Sequence, residues 1–292
     1  MKAKKAVITA GGLGLNLLPA TKALPKEILP IFDRPVIDYV VQELKESGIT
    51  DILLVSGKRK RAIEDYFDSA PALEMALEKK HKTALIQLIQ ASTDVNLYFT
   101  KQSEPTGIGD ALLLAEDFVD NDPFVLVLSD DIVKDPVPLT KLLLQDFDDY
   151  QTPVLGIENI TPDEIRRYGV VELGAQKAEG LAAVKQIVEK PDENTAPSKL
   201  GVIGRYVLPG NFFTYLRQLP QQTPDTEQLS TALNLLNQDQ PILARYFHGQ
   251  REDISTKLGL LKASIDYGLK SAEFGPAIVQ YIKALASSGR LD

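Results

Sequence analysis

The chain reads as an α/β protein, with a mixed, mostly parallel sheet flanked by helices and a smaller β-rich part in its second half. Two observations predict this. As far as Asp131, short apolar runs alternate with amphipathic stretches, the pattern of a parallel sheet with helices on both faces. Beyond that point, several runs alternate with a period of two, as half-exposed antiparallel strands do. The 292 residues allow one large domain or two smaller ones, and a 44% hydrophobic share provides a sizeable core. No linker, low-complexity tract or internal repeat divides the chain. This favours a single domain over residues 1–292, with a first half at 1–135, a second half at 136–257 and closing helices at 258–292.

The elements follow in order. Ala6-Val7-Ile8 is a short buried strand that breaks into Ala10-Gly11-Gly12-Leu13-Gly14. Residues 35–44 carry apolar side chains at helical spacing, with proline at the start and Gly48 just past the end. Residues 52–57 form a second buried strand, 61–67 a helix and 71–91 a longer helix rich in Ala, Leu, Glu and Lys. A third strand at 95–99 leads into a polar loop, 101–109, and a short helix at 110–118. The fourth strand, 124–128, ends at Ser129-Asp130-Asp131. In the second half, strands are expected at 154–157, 169–173, 184–188, 202–208 and 242–247. Helices are expected at 212–219, 226–237, 258–269 and 277–285. In open α/β sheets ligands bind beyond the carboxyl ends of the strands. Gly11-Gly12, the 101–109 loop and Asp130-Asp131 are therefore expected to face one cleft.

Composition narrows the function. The net charge of −8 does not suit general nucleic-acid or anionic-membrane binding. With no cysteine, disulfides and thiolate–metal sites are excluded, and two histidines, His81 and His248, argue against a His-rich metal site. The N-terminal apolar run is too short for a signal-peptide core or a membrane span, so a cytoplasmic location is expected.

The glycine turn carries the main chemical signal. A strand ending in side-chain-free residues lets backbone N–H groups approach a phosphate, and Lys22 and Lys26 add nearby charge. It is not a Walker A loop, because Leu15 follows Gly14 where Lys-Ser or Lys-Thr is needed. A dinucleotide fingerprint needs a third glycine where Leu17 stands, although Asp33 lies at a distance suited to its ribose carboxylate. A tight structural turn is the simpler alternative.

Further residues carry a resemblance. Gly12-Leu13-Gly14, Leu18-Pro19-Ala20-Thr21-Lys22-Ala23 and Pro25-Lys26-Glu27 resemble the N-terminal signature of bacterial UTP–glucose-1-phosphate uridylyltransferases, members of the sugar-phosphate nucleotidyltransferases. The likeness continues through Arg61 to Asp68, Lys101-Gln102, Glu104-Pro105, Gly107-Ile108-Gly109, Tyr168-Gly169-Val170-Val171, Val188-Glu189-Lys190-Pro191, Gly204-Arg205-Tyr206-Val207 and Lys257-Leu258-Gly259 to Leu269. It implies a Rossmann-like fold of the nucleotide-diphospho-sugar transferase type. It also implies the reaction of UTP with glucose 1-phosphate to give UDP-glucose and pyrophosphate, with Mg²⁺ as cofactor.

The resemblance assigns roles residue by residue. Lys26, Asp130 and Lys190 are the implied catalytic residues. Gly11, Gly12, Lys26, Gln102, Gly107 and Asp130 bind the nucleotide, with Gln102 and Gly107 on the uracil. Gly169, Glu189, Lys190 and Lys257 bind the sugar phosphate, and Asp130 with Asp253 holds the metal. Asp131 points away from Asp130 if the strand persists. A strand-end aspartate also serves as a cap, and a loop lysine is commonly a solvated charge. The apolar positions in 267–285 suit a subunit contact or a core edge, and the resemblance implies a dimer or tetramer.

The pattern departs at the chemistry. Leu15-Asn16 replaces a Thr-Arg pair, and neutral Asn16 offers neither the charge nor the fork of a guanidinium. Asp110 stands for a histidine, Thr231 for an aspartate and Ser255 for a glycine, where a side chain is expected to crowd the site. Two readings stay open: a working uridylyltransferase, and a weak or inactive paralogue that binds nucleotide sugar or regulates an active enzyme.

Overall fold

A computed structural model describes residues 2–93, 95–220 and 222–289. Among them the strands are β1 (Lys5–Ala10), β2 (Pro30–Ile31), β3 (Arg34–Pro35), β4 (Asp51–Ser56), β5 (Asn96–Lys101), β6 (Phe124–Leu128), β7 (Asp131–Lys134), β8 (Val154–Asn159), β9 (Gly169–Ala178), β10 (Leu181–Glu189), β11 (Leu200–Leu208), β12 (Leu243–Tyr246) and β13 (Gln250–Asp253). The helices are α1 (Val36–Glu46), α2 (Arg61–Phe67), α3 (Pro71–Lys79), α4 (Thr83–Thr93), α5 (Ile108–Leu113), α6 (Glu116–Val119), α7 (Leu139–Tyr150), α8 (Phe212–Arg217), α9 (Gln228–Asp239), α10 (Lys257–Leu269) and α11 (Gly275–Ala286).

One sheet spans both halves of the chain, in the order β5-β4-β1-β6-β11-β8-β12-β10-β9. From β5 to β6 every pairing is parallel. Past β6 the pairings are antiparallel apart from β12 with β8. The sheet is therefore mixed, with its parallel core in the first half, where βαβ crossovers cover both faces. Alternate residues of β1 and β6 feed opposite sides: Val7 and Leu126 pack with α5, α8 and α9, while Ile8 and Val127 pack with α1, α2 and α7.

Several expectations shift. The long helix expected at 71–91 is two, α3 and α4, turning at His81 with a left-handed φ of 54°. The helix expected at 110–118 starts earlier, at Ile108, and breaks into α5 and α6. Helix α7 was not anticipated, although Leu139, Leu143 and Phe147 sit four residues apart and are buried. The two-stranded ribbon of β7 and β13 was not anticipated either. It pairs Asp131 with Asp253, so residues far apart in sequence meet beside the carboxyl end of β6. Helix α10 packs Ala263, Leu260 and Tyr267 against Ile132 and Ile254 of this ribbon region. Helix α11 buries only Gly275 and leaves Phe274, Val279, Tyr281 and Ile282 in the open.

Candidate active site

At the carboxyl edge of the parallel strands, three segments close around a cavity of about 250 Å³. They are Gly11-Gly12 after β1, the loop from Gln102 to Ile108, and Leu128-Ser129-Asp130 after β6, as the strand order predicted. The glycines act differently from one another. Gly14 has φ of 66°, so the turn needs a residue free to adopt the left-handed region. A Cβ on Gly11 would lie 2.8 Å from Gln102 Oε1, so a glycine there lets the Gln102 amide pack directly against the β1 turn.

Gln102 is buried and its amide is oriented by its neighbours. Nε2 donates to the Gly107 carbonyl (3.0 Å) and toward Thr106 Oγ1 (3.4 Å). Because the Gly107 carbonyl can only accept, the amide nitrogen must face it. The carbonyl Oε1 is left toward Gly11, where it presents an acceptor to the cavity wall.

Lys26 follows Pro25 on a short 3-10 turn, and its side chain is 10% exposed. Its ammonium donates to Asp130 Oδ1, and Asp130 itself is 45% exposed. Burial pushes the Lys26 ammonium down, but the Asp130, Glu27 and Asp131 carboxylates outweigh it and its pKa is raised. Beneath this contact lies a buried ion pair that the sequence did not reveal. Lys60 Nζ donates to both Glu27 oxygens at 2.9 Å, with Glu27 fully buried and Lys60 7% exposed. Ser129 Oγ approaches the same carboxylate (3.4 Å) while donating to Thr9 O (3.1 Å). The pair thus ties the Lys26 turn to the end of β1 and to the corner carrying Asp130.

A second cavity of about 260 Å³ adjoins the first and shares Ile108, Leu128 and Asp130 with it. Gly169, Glu189 and Lys190 line it together. Gly169 pairs with Glu189 across β9 and β10, and a Cβ there would come within 3.2 Å of Glu189 Oε2. Burial raises the Glu189 pKa, opposed by Lys190, whose Nζ lies 3.6 Å away, and by a hydrogen bond with Ser230. Lys190 holds φ of 42°, with its N–H donating to Tyr168 O (3.1 Å). A lysine in the left-handed region is strained by about 1–2 kcal/mol, the kind of backbone cost found where a side chain must be aimed. Arg205, in the Gly204–Val207 segment that carries part of the resemblance, is fully buried. It donates to Glu43 (2.8 and 2.9 Å), Leu128 O and Asp131 O, and so supports the β6–β7 corner from below. Its neighbours Gly204 and Tyr206 do line the cavity.

Asp130 and Asp131 diverge as expected. Asp131 is buried, salt-bridged to Arg251 (2.9 Å), and its pKa is raised by burial. Asp253 is linked to the corner by the pairing with Asp131 and by the Ile254 N–H, which donates to Asp130 O (3.1 Å). Its carboxylate accepts from Arg167, Tyr168 Oη (2.7 Å) and Ser255 N (2.9 Å). Burial pushes Asp253 up, but these partners prevail and hold it below the usual carboxylate value. Arg167, missed in the sequence, lines the second cavity and supplies a guanidinium there. It sits in the run Ile165-Arg166-Arg167, which reads as surface charge.

A family model described as nucleotidyl transferase matches residues 5–268. The chain belongs to this family. Nucleotidyl transferases much like it include the UTP–glucose-1-phosphate uridylyltransferase of Streptococcus pneumoniae, 44% identical over 285 residues, covering 96% of this chain and 95% of that protein. The enzyme of the same name from Staphylococcus epidermidis is 42% identical over 285 residues, covering 97% of this chain and 99% of the relative. Among solved structures, the UTP-bound UGPase from Acinetobacter baumannii superposes with a TM-score of 0.89 at 35% identity, covering 97% of this chain and 99% of that one.

Within this nucleotidyl transferase the departures have distinct locations. Asn16 lies exposed on the turn Leu15–Leu17. Ser255 does not crowd either cavity: its backbone is not left-handed, and its hydroxyl accepts from Arg167 (3.1 Å). Asp110 stands in the first turn of α5, where a carboxylate is favoured, outside both cavities. Thr231 lies outside them too, whereas Ser230 lines the second. Lys257 is exposed at the start of α10 and Lys22 is exposed on its own turn, and neither reaches a cavity. Asp33 borders a separate cavity beside Arg34 and Tyr66, which removes the dinucleotide reading.

Proposed function

We propose that this chain transfers a uridylyl group from UTP to glucose 1-phosphate, giving UDP-glucose and pyrophosphate. One observation carries the reading: two cavities meet at Asp130, with an oriented amide carbonyl in one and a Glu189–Lys190 pair in the other. The acceptor Oε1 of Gln102 suits the ring N–H of uracil and repels the ring nitrogen acceptor of cytosine. Gly11, Gly12 and Gly107 let the base and ribose lie against backbone. Glu189 accepts from sugar hydroxyls, and Lys190 faces the sugar phosphate. Lys26, at the junction, leaves Asp130 for the α-phosphate. A sugar-phosphate oxygen then attacks the α-phosphorus in line and pyrophosphate departs, the chain supplying position and charge without a covalent intermediate. Lys257 is retained as a sugar-phosphate residue only through the family pattern.

The donors suit Mg²⁺. Asp130 and Asp253 are two carboxylates from adjoining segments, and Mg²⁺ sites of this kind take one or two carboxylates, with substrate phosphates filling further positions. Among the described residues no cluster of three or more His, Cys, Asp or Glu side chains is arranged for a metal, so substrate oxygens complete the set. When bound, the ion neutralises phosphate charge. Each carboxylate is meanwhile held by one of the chain's own cations, Lys26 and Arg167. The absence of cysteine accords with a reducing, cytoplasmic setting. No described helix is long and apolar enough to cross a membrane. The exposed apolar face of α11 supports assembly as a homodimer or tetramer.

Pyrophosphate release from UTP, glucose 1-phosphate and Mg²⁺ tests the assignment. Release by the native chain that falls to background in Asp130→Asn supports it. No release above that control, with UDP-glucose still bound, would favour the non-catalytic paralogue.

A further inference from the structure

The nucleobase loop is held from the second half of the chain as well as from its own. Gln228, the first residue of α9, lies directly on its backbone. Gly109 N–H donates to Gln228 Oε1 (2.8 Å), and Gln228 Nε2 donates to Thr106 O (3.3 Å). Gly107 sits at φ of 107°, and a Cβ there would lie 2.9 Å from Gln228 Cδ and overlap its Oε1, so the glycine is shaped to this amide as well as to a base. The Gly107 carbonyl, between these two contacts, receives the Gln102 amide.

The helix presenting Gln228 belongs to the sugar side. Leu229, Ser230 and Leu233 of α9 line the second cavity. Asn234 clamps both backbone groups of Ile187 on β10, accepting from its N–H (2.9 Å) and donating to its carbonyl (2.7 Å). Asn237 donates to the Val184 carbonyl (3.1 Å) on the same strand, which ends at Glu189. Helix α9 therefore bears at one end on the loop that orients Gln102 and along its length on the strand that carries Glu189.

We infer that Gln228 is a positioning residue for nucleobase recognition: from α9 it sets the Thr106–Gly109 backbone, and through Gly107 O it sets the direction of the Gln102 amide. This rests on the uridylyl-transfer reading. A backbone N–H left unpaired and a loop freed to reorient weaken uracil binding, and the preference for uracil over cytosine falls with the Gln102 orientation.

Steady-state kinetics with UTP and CTP, with glucose 1-phosphate varied separately, tests the inference on native enzyme, Gln228→Met and Gln228→Glu. Methionine keeps the volume and removes both hydrogen bonds, while glutamate keeps the acceptor for Gly109 N–H. The expected result for Gln228→Met is a KM for UTP raised about tenfold, a UTP-to-CTP ratio of kcat/KM reduced several-fold, and a KM for glucose 1-phosphate within about twofold of native. Gln228→Glu should recover part of the UTP affinity. Equilibrium binding of UTP to the same proteins, compared at matched folded fraction by circular dichroism, gives the reading if turnover is slow. An unchanged UTP-to-CTP ratio, or equal losses for both substrates, would overturn the inference while leaving the reaction intact. Native protein that neither binds UTP nor releases pyrophosphate would overturn the reaction and the inference with it.

Discussion

Replacing Lys60 with methionine isolates the buried pair beneath the site. In the native chain both oxygens of the fully buried Glu27 take hydrogen bonds from Lys60 at 2.9 Å. Among the described residues the only other hydrogen bond to them comes from Ser129 Oγ at 3.4 Å, too long for a strong O–H···O bond. Methionine keeps most of the packing and strands the carboxylate. Breaking a buried pair in this way costs about 3–5 kcal/mol. Urea denaturation at pH 7 should therefore show Lys60→Met destabilised by about 3–5 kcal/mol, with Glu27→Met/Lys60→Met recovering most of the loss because the stranded charge is then removed as well. A Lys60→Met variant as stable as native, or a double variant no more stable than the single one, would refute the reasoning.

Lys26→Met removes the buried cation at the junction of the two cavities and should lower kcat on the order of 10²–10³ with little change in stability, measured by pyrophosphate release and urea midpoint. Because Lys26 is held above its ordinary value of 10.5, the native rate should show no alkaline limb from this residue below that pH. Glu189, raised above 4.5 by burial, must be ionised to accept from sugar hydroxyls. The kcat/KM for glucose 1-phosphate should accordingly fall on acidification at a pH above 4.5, and the ratio of native to Glu189→Gln should flatten there. Asn16→Arg, on an exposed turn, should raise kcat by about tenfold, less than the roughly 10²–10³ that a preorganised donor supplies. Adding Ser255→Gly, which removes an acceptor from Arg167, should increase the gain, and a double variant no faster than native would refute that local account.

The sequence by itself determined the strands of the first half, the glycine turn and most of the cavity lining. Apolar runs bounded by glycine or aspartate are local signals, and the carboxyl ends of parallel strands gather by rule. The strand-end rule brought Gly11, Gly12, the loop carrying Gln102 and Gly107, and Asp130 to one cavity, while Lys26 and, in the neighbouring cavity, Gly169, Glu189 and Lys190 were assigned their roles only by the family resemblance. Only the tertiary structure decided what supports them. The β7–β13 ribbon is four residues on each side, all polar in β13, too short for periodicity to mark, yet it carries Asp253 to the corner of Asp130. Lys60 and Arg167 lie in basic runs that look like solvated surface, and Gln228 looks like any polar helix start. Their partners are 33, 86 and 119 residues away. A charge or an amide acquires its role from what the fold places against it, and at such separations no local pattern encodes the pairing.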